Sequence, residues 1–159
     1  MSLMKWILAG SLLVGSHAAA QDNDGKEFPW YGSLKKDEVN VRSGPGNQYP
    51  ILWVYQRAGY PVQVVTRYDN YYKLRDVEGE EGWAYVGMIS RRQTGLVGGD
   101  QIVPLRGRAD PASAPVARLA PGVVVTLDSC ENADGHAMCK VIAHGTKGWV
   151  DKKSLLMVD

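Results

Sequence analysis

Apolar residues fall in short runs along this chain, and each run closes on Gly, Pro, Asn or Asp. "VNVR" (39–42) runs into the turn "SGPG", and an extended apolar stretch follows as far as Gly59. "VQVV" (62–65), "YYKLR" (71–75) and "GWAY" (82–85) come next, with polar turns between them. Val is the most frequent apolar residue, and the aromatics are 8 Tyr and 5 Trp against 1 Phe. β-Branched and aromatic residues suit a pleated, half-buried surface. Gly and Pro supply the backbone angles of tight turns. With no convincing long helix in the pattern, the first half predicts five short strands.

The second half repeats that grammar. Val41-Arg42 faces Leu105-Arg106, and Tyr49-Pro50-Ile51 faces Ala114-Pro115-Val116. Gly59 faces Gly122, Lys73 faces Lys140, and Gly82-Trp83 faces Gly148-Trp149. After each Gly-Trp pair a short spacer leads to an aliphatic, Met88-Ile89 or Ser154-Leu155. A repeat of about 65 residues is too long for a solenoid and indicates tandem domains. The expectation is an all-β chain with two tandem five-stranded barrels. Domain 1 would span 34–92 and domain 2 would span 102–159, with a charged, Gly-rich linker at 93–101. Units of this size have small cores and marginal stability. The two could therefore lean on one another.

Residues 1–20 have the character of a signal peptide. Lys5 precedes the apolar run Trp6–Val14, and Ala18-Ala19-Ala20 offers a small-residue cleavage site. The run is shorter than the roughly 20 apolar residues that span a bilayer, so no membrane insertion is expected after cleavage. The protein would be exported, to the periplasm or beyond. Residues 21–33, with Phe28, Trp30 and Tyr31, read as an N-terminal arm. Without Lys5 the 18 basic side chains become 17, equal to the 17 acidic ones. A nucleic-acid binder carries a basic excess, so nucleic acid is disfavoured.

"VNVRSGPG" (39–46), then Gly59, "YYKLR" and "GWAY", resembles the bacterial Src-homology-3-like (SH3b) domain. The second copy matches less well at its start, where Asp110-Pro111 replaces the Gly-Pro-Gly turn. The resemblance implies small β-barrels and a binding module rather than a catalyst. It also implies a peptide, a peptidoglycan fragment or an envelope protein as partner, and no cofactor. An adaptor for another envelope protein, with no small ligand, is the alternative reading. Family members often carry an aromatic just before the second Cys, where this chain has Met138.

The two cysteines, Cys130 and Cys139, flank a polar turn on consecutive strands. Export and an even count favour a structural disulfide. Closing such a loop is worth about 2.5–3 kcal/mol in the chain-entropy model. Two other readings need free thiolates. One is a thiol hydrolase using Cys139 with His144 or His136. The other is a zinc site from Cys130, His136, Cys139 and His144.

"RDVEGEEGW" (75–83) gathers Asp76, Glu78, Glu80 and Glu81 on one loop, which reads as a solvated turn. The aromatics are unevenly shared. All 8 tyrosines lie between residues 31 and 85. Tyrosine offers contact area at modest entropic cost. Tyr49, Tyr55, Tyr71 and Tyr85, with Arg42, are therefore the candidate ligand-binding residues. Strand alternation forbids Tyr71 and Tyr72 from facing the same core, and Trp83 and Trp149 are expected inside. The competing role for the surplus aromatics is to fill the contact between domains.

Overall fold

The computed structural model describes Gly25, residues 27–133 and residues 135–159. Residues 1–20, expected to be a signal peptide, lie outside the described residues. The first half holds β1 (Trp30–Leu34), β2 (Val39–Arg42), β3 (Ile51–Tyr55), β4 (Pro61–Tyr68), β5 (Tyr71–Arg75), β6 (Glu81–Tyr85) and β7 (Ile89–Ser90). The second holds β8 (Thr94–Val97), β9 (Val103–Arg106), β10 (Pro115–Leu119), β11 (Val124–Ala133), β12 (His136–Ala143), β13 (Thr146–Asp151) and β14 (Leu155–Leu156). Each half is one antiparallel sheet. The orders are β3-β2-β6-β5-β4-β1-β7 and β10-β9-β13-β12-β11-β8-β14, the same topology twice. A 3-10 turn after each Gly-Trp strand, at Val86–Met88 and Lys152–Ser154, leads into the last short strand.

Each sheet has its own core. Val39, Val62, Val64, Leu74 and Ala84 are buried in the first, and Leu105, Val125, Val141 and Val150 in the second. These are the inward positions of alternating strands. The five expected strands of each half are present, but each sheet gains two strands at one end, β1 and β7 beyond β4, and β8 and β14 beyond β11. Trp30–Ser33, expected in the arm, pairs with Pro61–Val64. Trp30 is buried, and its ring meets Tyr72 edge-on at 5.5 Å. Likewise Thr94–Leu96, expected within the linker, pairs with Val124–Thr126. Both segments carry a Gly that interrupts the alternation, and each pairs along a longer neighbour, β4 or β11. Only residues 91–93 separate β7 from β8.

The repeated Gly-Trp pair has a steric cause. In β6, Gly82 faces inward where β2 crosses closely. A Cβ there would sit 2.3 Å from Val41 Cγ1 and 3.2 Å from the Arg42 carbonyl oxygen. In β13, a Cβ on Gly148 would sit 2.6 Å from Leu105 Cγ and 2.8 Å from the Arg106 oxygen. The tryptophans take the opposite face. Trp83 pairs with Arg42 and Trp149 with Arg106, and both rings are half-buried outside the core. The expectation that they are core residues is thus corrected, because the inward position beside each belongs to glycine. The turn glycines are equivalent too. Gly59 and Gly122 have φ of 77° and 78°, in the left-handed region that costs glycine nothing.

The two halves touch through these same turns. Arg57 Nη1 donates to the Gly122 carbonyl at 3.0 Å, and the Thr94 hydroxyl donates to the Gly59 carbonyl at 2.8 Å. Ser33 donates to the Arg92 carbonyl at 2.8 Å, tying the connecting residues to β1. The surplus tyrosines are not the source of these bonds. The rings of Tyr55 and Tyr71 pack on other aromatics of the first half.

On the β11–β12 hairpin Cys130 and Cys139 are directly opposed and form a disulfide. The thiol-hydrolase and zinc readings are thereby corrected, since both require sulfur that the bond consumes. His136 and His144 are exposed, and His144 lies in the β12–β13 turn.

Candidate functional site

β2 alternates cleanly. Val39 and Val41 are 1% and 0% exposed and point into the core, which turns Asn40 and Arg42 outward. Glu38 continues that outward row. In β6, Gly82 and Ala84 face inward and Tyr85 faces out. In β5, Tyr71 and Tyr72 are both covered, but by different partners. Tyr72 belongs to the core, whereas Tyr71 packs edge-on against Tyr85, with ring centres 6.1 Å apart and planes at 74°. The two strands hold these tyrosines in register.

Tyr71 and Tyr85 line a groove of about 480 Å³. Arg42 and Asn47 stand along it, and the Tyr71 hydroxyl donates to Asn47 Oδ1 at 2.9 Å. Arg42 Nη1 donates to the main-chain carbonyls of Tyr49 at 2.8 Å and Asn47 at 3.3 Å. The arginine thus holds the Ser43–Tyr49 loop in place as well as lining the groove. Glu38, Asn40, Asp69, Asn70 and Met88 complete the wall.

Of the five expected ligand residues, the structure brings Arg42, Tyr71 and Tyr85 together. Tyr49 is 39% exposed and shields the loop beside them, its ring covering Gly44. Tyr55 lies apart from the groove, stacked on Tyr60 at 5.4 Å, and its hydroxyl donates to Asp76 Oδ2 at 2.9 Å. Burial first, then the Asp76 carboxylate, push the Tyr55 hydroxyl far above its usual pKa. Sequence reasoning missed the polar residues of the groove. Period-two spacing back from Arg42 would have found Asn40 and Glu38. Asn47, Asp69, Asn70 and Met88 arrive on loops and carry no such signal.

Asp76 corrects the reading of its loop as a solvated turn. It is buried, and its Oδ1 accepts the N–H groups of Glu78 at 3.0 Å and Glu80 at 2.9 Å. Glu81 is held by Lys73 and Arg75, which keep its carboxyl below the usual carboxylate range. Only Glu78 and Glu80 are exposed among these acids. Removing a buried acceptor leaves its donors unmatched, at about 1–3 kcal/mol. Asp76→Ala should therefore lower stability by about 2 kcal/mol, read from the urea midpoint, and Tyr55→Phe by about 1 kcal/mol. An unchanged midpoint for Asp76→Ala would show that the loop does not depend on this carboxylate.

The second half contains the corresponding place in altered form. Arg106 again holds its loop, donating to the Ser113 carbonyl at 2.6 Å. Met138 pairs with Asp151 where Tyr71 pairs with Tyr85. The hollow beside them, lined by Arg106, Met138 and Asp151, measures only about 200 Å³. The aromatic groove therefore belongs to the first half.

The profile of the bacterial SH3 domain matches residues 35–91 and again residues 99–156. The chain belongs to the bacterial SH3 domain family. The two matches fall on the two sheets, so it is a tandem pair of bacterial SH3 domains. No curated protein matches the sequence. Among solved structures, NlpC1 from Trichomonas vaginalis is similar at 13% identity and a TM-score of 0.36, over 92% of this chain and 50% of that one. NlpC2 from the same organism is similar at 14% identity and a TM-score of 0.36, over 82% of this chain and 50% of that one. The present chain thus spans about half the length of each.

Proposed function

We propose that the protein is an exported, non-catalytic binding module whose first bacterial SH3 domain captures a peptide, a peptidoglycan fragment or an envelope protein. One observation carries this reading. The first domain has a groove with two packed tyrosines and an arginine, whereas its duplicate has Met138 and Asp151 in place of the tyrosines and only about 200 Å³ beside Arg106. A domain kept only for folding has no need of the exposed ring of Tyr85, which is 48% exposed. A disulfide in the second domain suits an oxidising compartment.

Co-sedimentation of the purified protein with cell-wall sacculi tests the proposal. Tyr85→Ala removes an exposed groove ring and should weaken retention about tenfold, equivalent to roughly 1.4 kcal/mol. Tyr71→Phe keeps the packed ring and loses only the bond to Asn47, so about a threefold loss is expected, or roughly 0.6 kcal/mol. Both variants should stay folded, each with a Tm within about 8 °C of the wild type. Retention equal to wild type in both would remove the groove from the binding function.

A second reading, an adaptor docked on another envelope protein, draws on a different surface. β3 lies at the end of its sheet order and carries no charged residue, with Ile51, Leu52 and Val54 46%, 50% and 41% exposed. Uncharged strand edges invite pairing with another chain. Under this reading Leu52→Lys would abolish capture of an envelope protein and leave sacculus retention intact.

A further inference from the structure

The groove of the first domain is not only aromatic. It is charged unevenly from end to end. Glu38, Asn40 and Arg42 form one outward row on and just before β2, and a strand advances about 3.3 Å per residue. Acid and base therefore stand about 13 Å apart along the strand, with an amide between them. The remaining walls follow the same polarity. Met88 accepts the Lys35 N–H at 2.7 Å, and Asn70 accepts the Val86 N–H at 3.0 Å, which sets Met88 and the Asp69-Asn70 turn toward the Glu38 end. At the other end Arg42 is braced on the carbonyls of Asn47 and Tyr49 through Nη1 alone. Among the described residues the rest of its guanidinium has no hydrogen-bond or ion-pair partner. Among the described residues neither the Glu38 nor the Asp69 carboxylate has an ion-pair partner.

We infer that this groove takes a short extended peptide with both ends free, its ammonium toward Glu38 and Asp69 and its carboxylate toward Arg42. The inference rests on the groove reading above and names the class of ligand. An uncharged occupant would strip water from three ions without replacing it, which is costly. A polyanion would meet two carboxylates, and a polycation would meet Arg42. A dipolar chain satisfies both ends at once. An extended chain spans at most about 3.3–3.6 Å per residue, so about three or four residues fit the distance. Asn40, Asn47 and Asn70 offer donors and acceptors for its peptide groups, and Tyr71 and Tyr85 offer contact for its side chains.

Tetraalanine is a suitable probe, in four forms: both ends free, N-acetylated, C-amidated, and blocked at both ends. Titration of the whole protein, followed by NMR, should show the free-ended form binding tightest. Each single block should weaken binding about tenfold. The variant pair Glu38→Gln with Asp69→Asn then separates the two ends. Asp69 has a φ of 49°, a conformation that asparagine also tolerates, and Glu38 is exposed. In that double variant the penalty for acetylation should fall below twofold, and the penalty for amidation should persist. Equal binding of all four forms, or tightest binding of the doubly blocked form, overturns the inference. So does failure of every form to bind while sacculus retention still depends on Tyr85, a result that leaves the groove reading standing. Loss of that dependence as well overturns both.

Discussion

Gly148→Ala destabilises the second domain by about 3 kcal/mol, the upper part of the range for overpacking a closed core. The added methyl meets Leu105 Cγ at 2.6 Å and the Arg106 carbonyl oxygen at 2.8 Å. Leu105 is fully buried and has no room to turn away. The Arg106 carbonyl belongs to β9 itself, so relief requires parting β9 from β13. For a domain of this size each kcal/mol moves Tm by about 4–8 °C, so the transition of the second domain should fall by more than about 10 °C. Gly82→Ala should act likewise on the first domain. There the closest atom is a side-chain methyl, Val41 Cγ1 at 2.3 Å, and the backbone oxygen stands off at 3.2 Å. Its cost should be smaller, about 2 kcal/mol. Calorimetry of both variants checks the pair. A Gly148→Ala protein that melts with the wild type would show that the strands do not need this close approach.

Cys130→Ser lowers the stability of the second domain by about 2.5–3 kcal/mol. The bond closes a loop across a sequence separation of 9, which restricts the unfolded chain. Cys139 is fully buried within the core, whereas Cys130 is exposed. Serine at position 130 therefore removes the cross-link while the Cys139 sulfur stays in the core as a thiol. Cys139→Ser should cost more, because it also places a hydroxyl among Val125, Val141 and Val150. Denaturant titration of the two variants, with reduced wild-type protein beside them, separates cross-link from packing. Equal losses for the two variants would show that burial of the serine hydroxyl adds nothing.

The sheets were legible because their signal is local. Val39, Val41, Val62 and Val64 alternate with polar residues, and the inward faces follow from that alternation alone. The duplication was legible for a related reason. Gly59 and Gly122 answer the same backbone demand at matching places, and no other residue meets it as well. The opposed cysteines needed only a hairpin and an oxidising compartment. Asp76 was misread because its burial depends on Tyr55, a residue 21 positions away on a different strand. Trp83 was misread because a large apolar ring next to a glycine suggests a core anchor, when the crossing of β2 over β6 admits nothing but the glycine.

Sequence alone determined the all-β class, the two-fold repeat, the turn positions and the sulfur pairing, since each is written in residues close together along the chain. Tertiary structure decided which tyrosines share a groove and which one pins a buried acid. It also decided that Thr94–Val97 opens the second sheet, and that Glu38, Arg42 and Asp69 face one hollow. Those outcomes turn on how separate strands and loops meet, and side-chain alternation within a strand says which face a residue takes but not what stands opposite it.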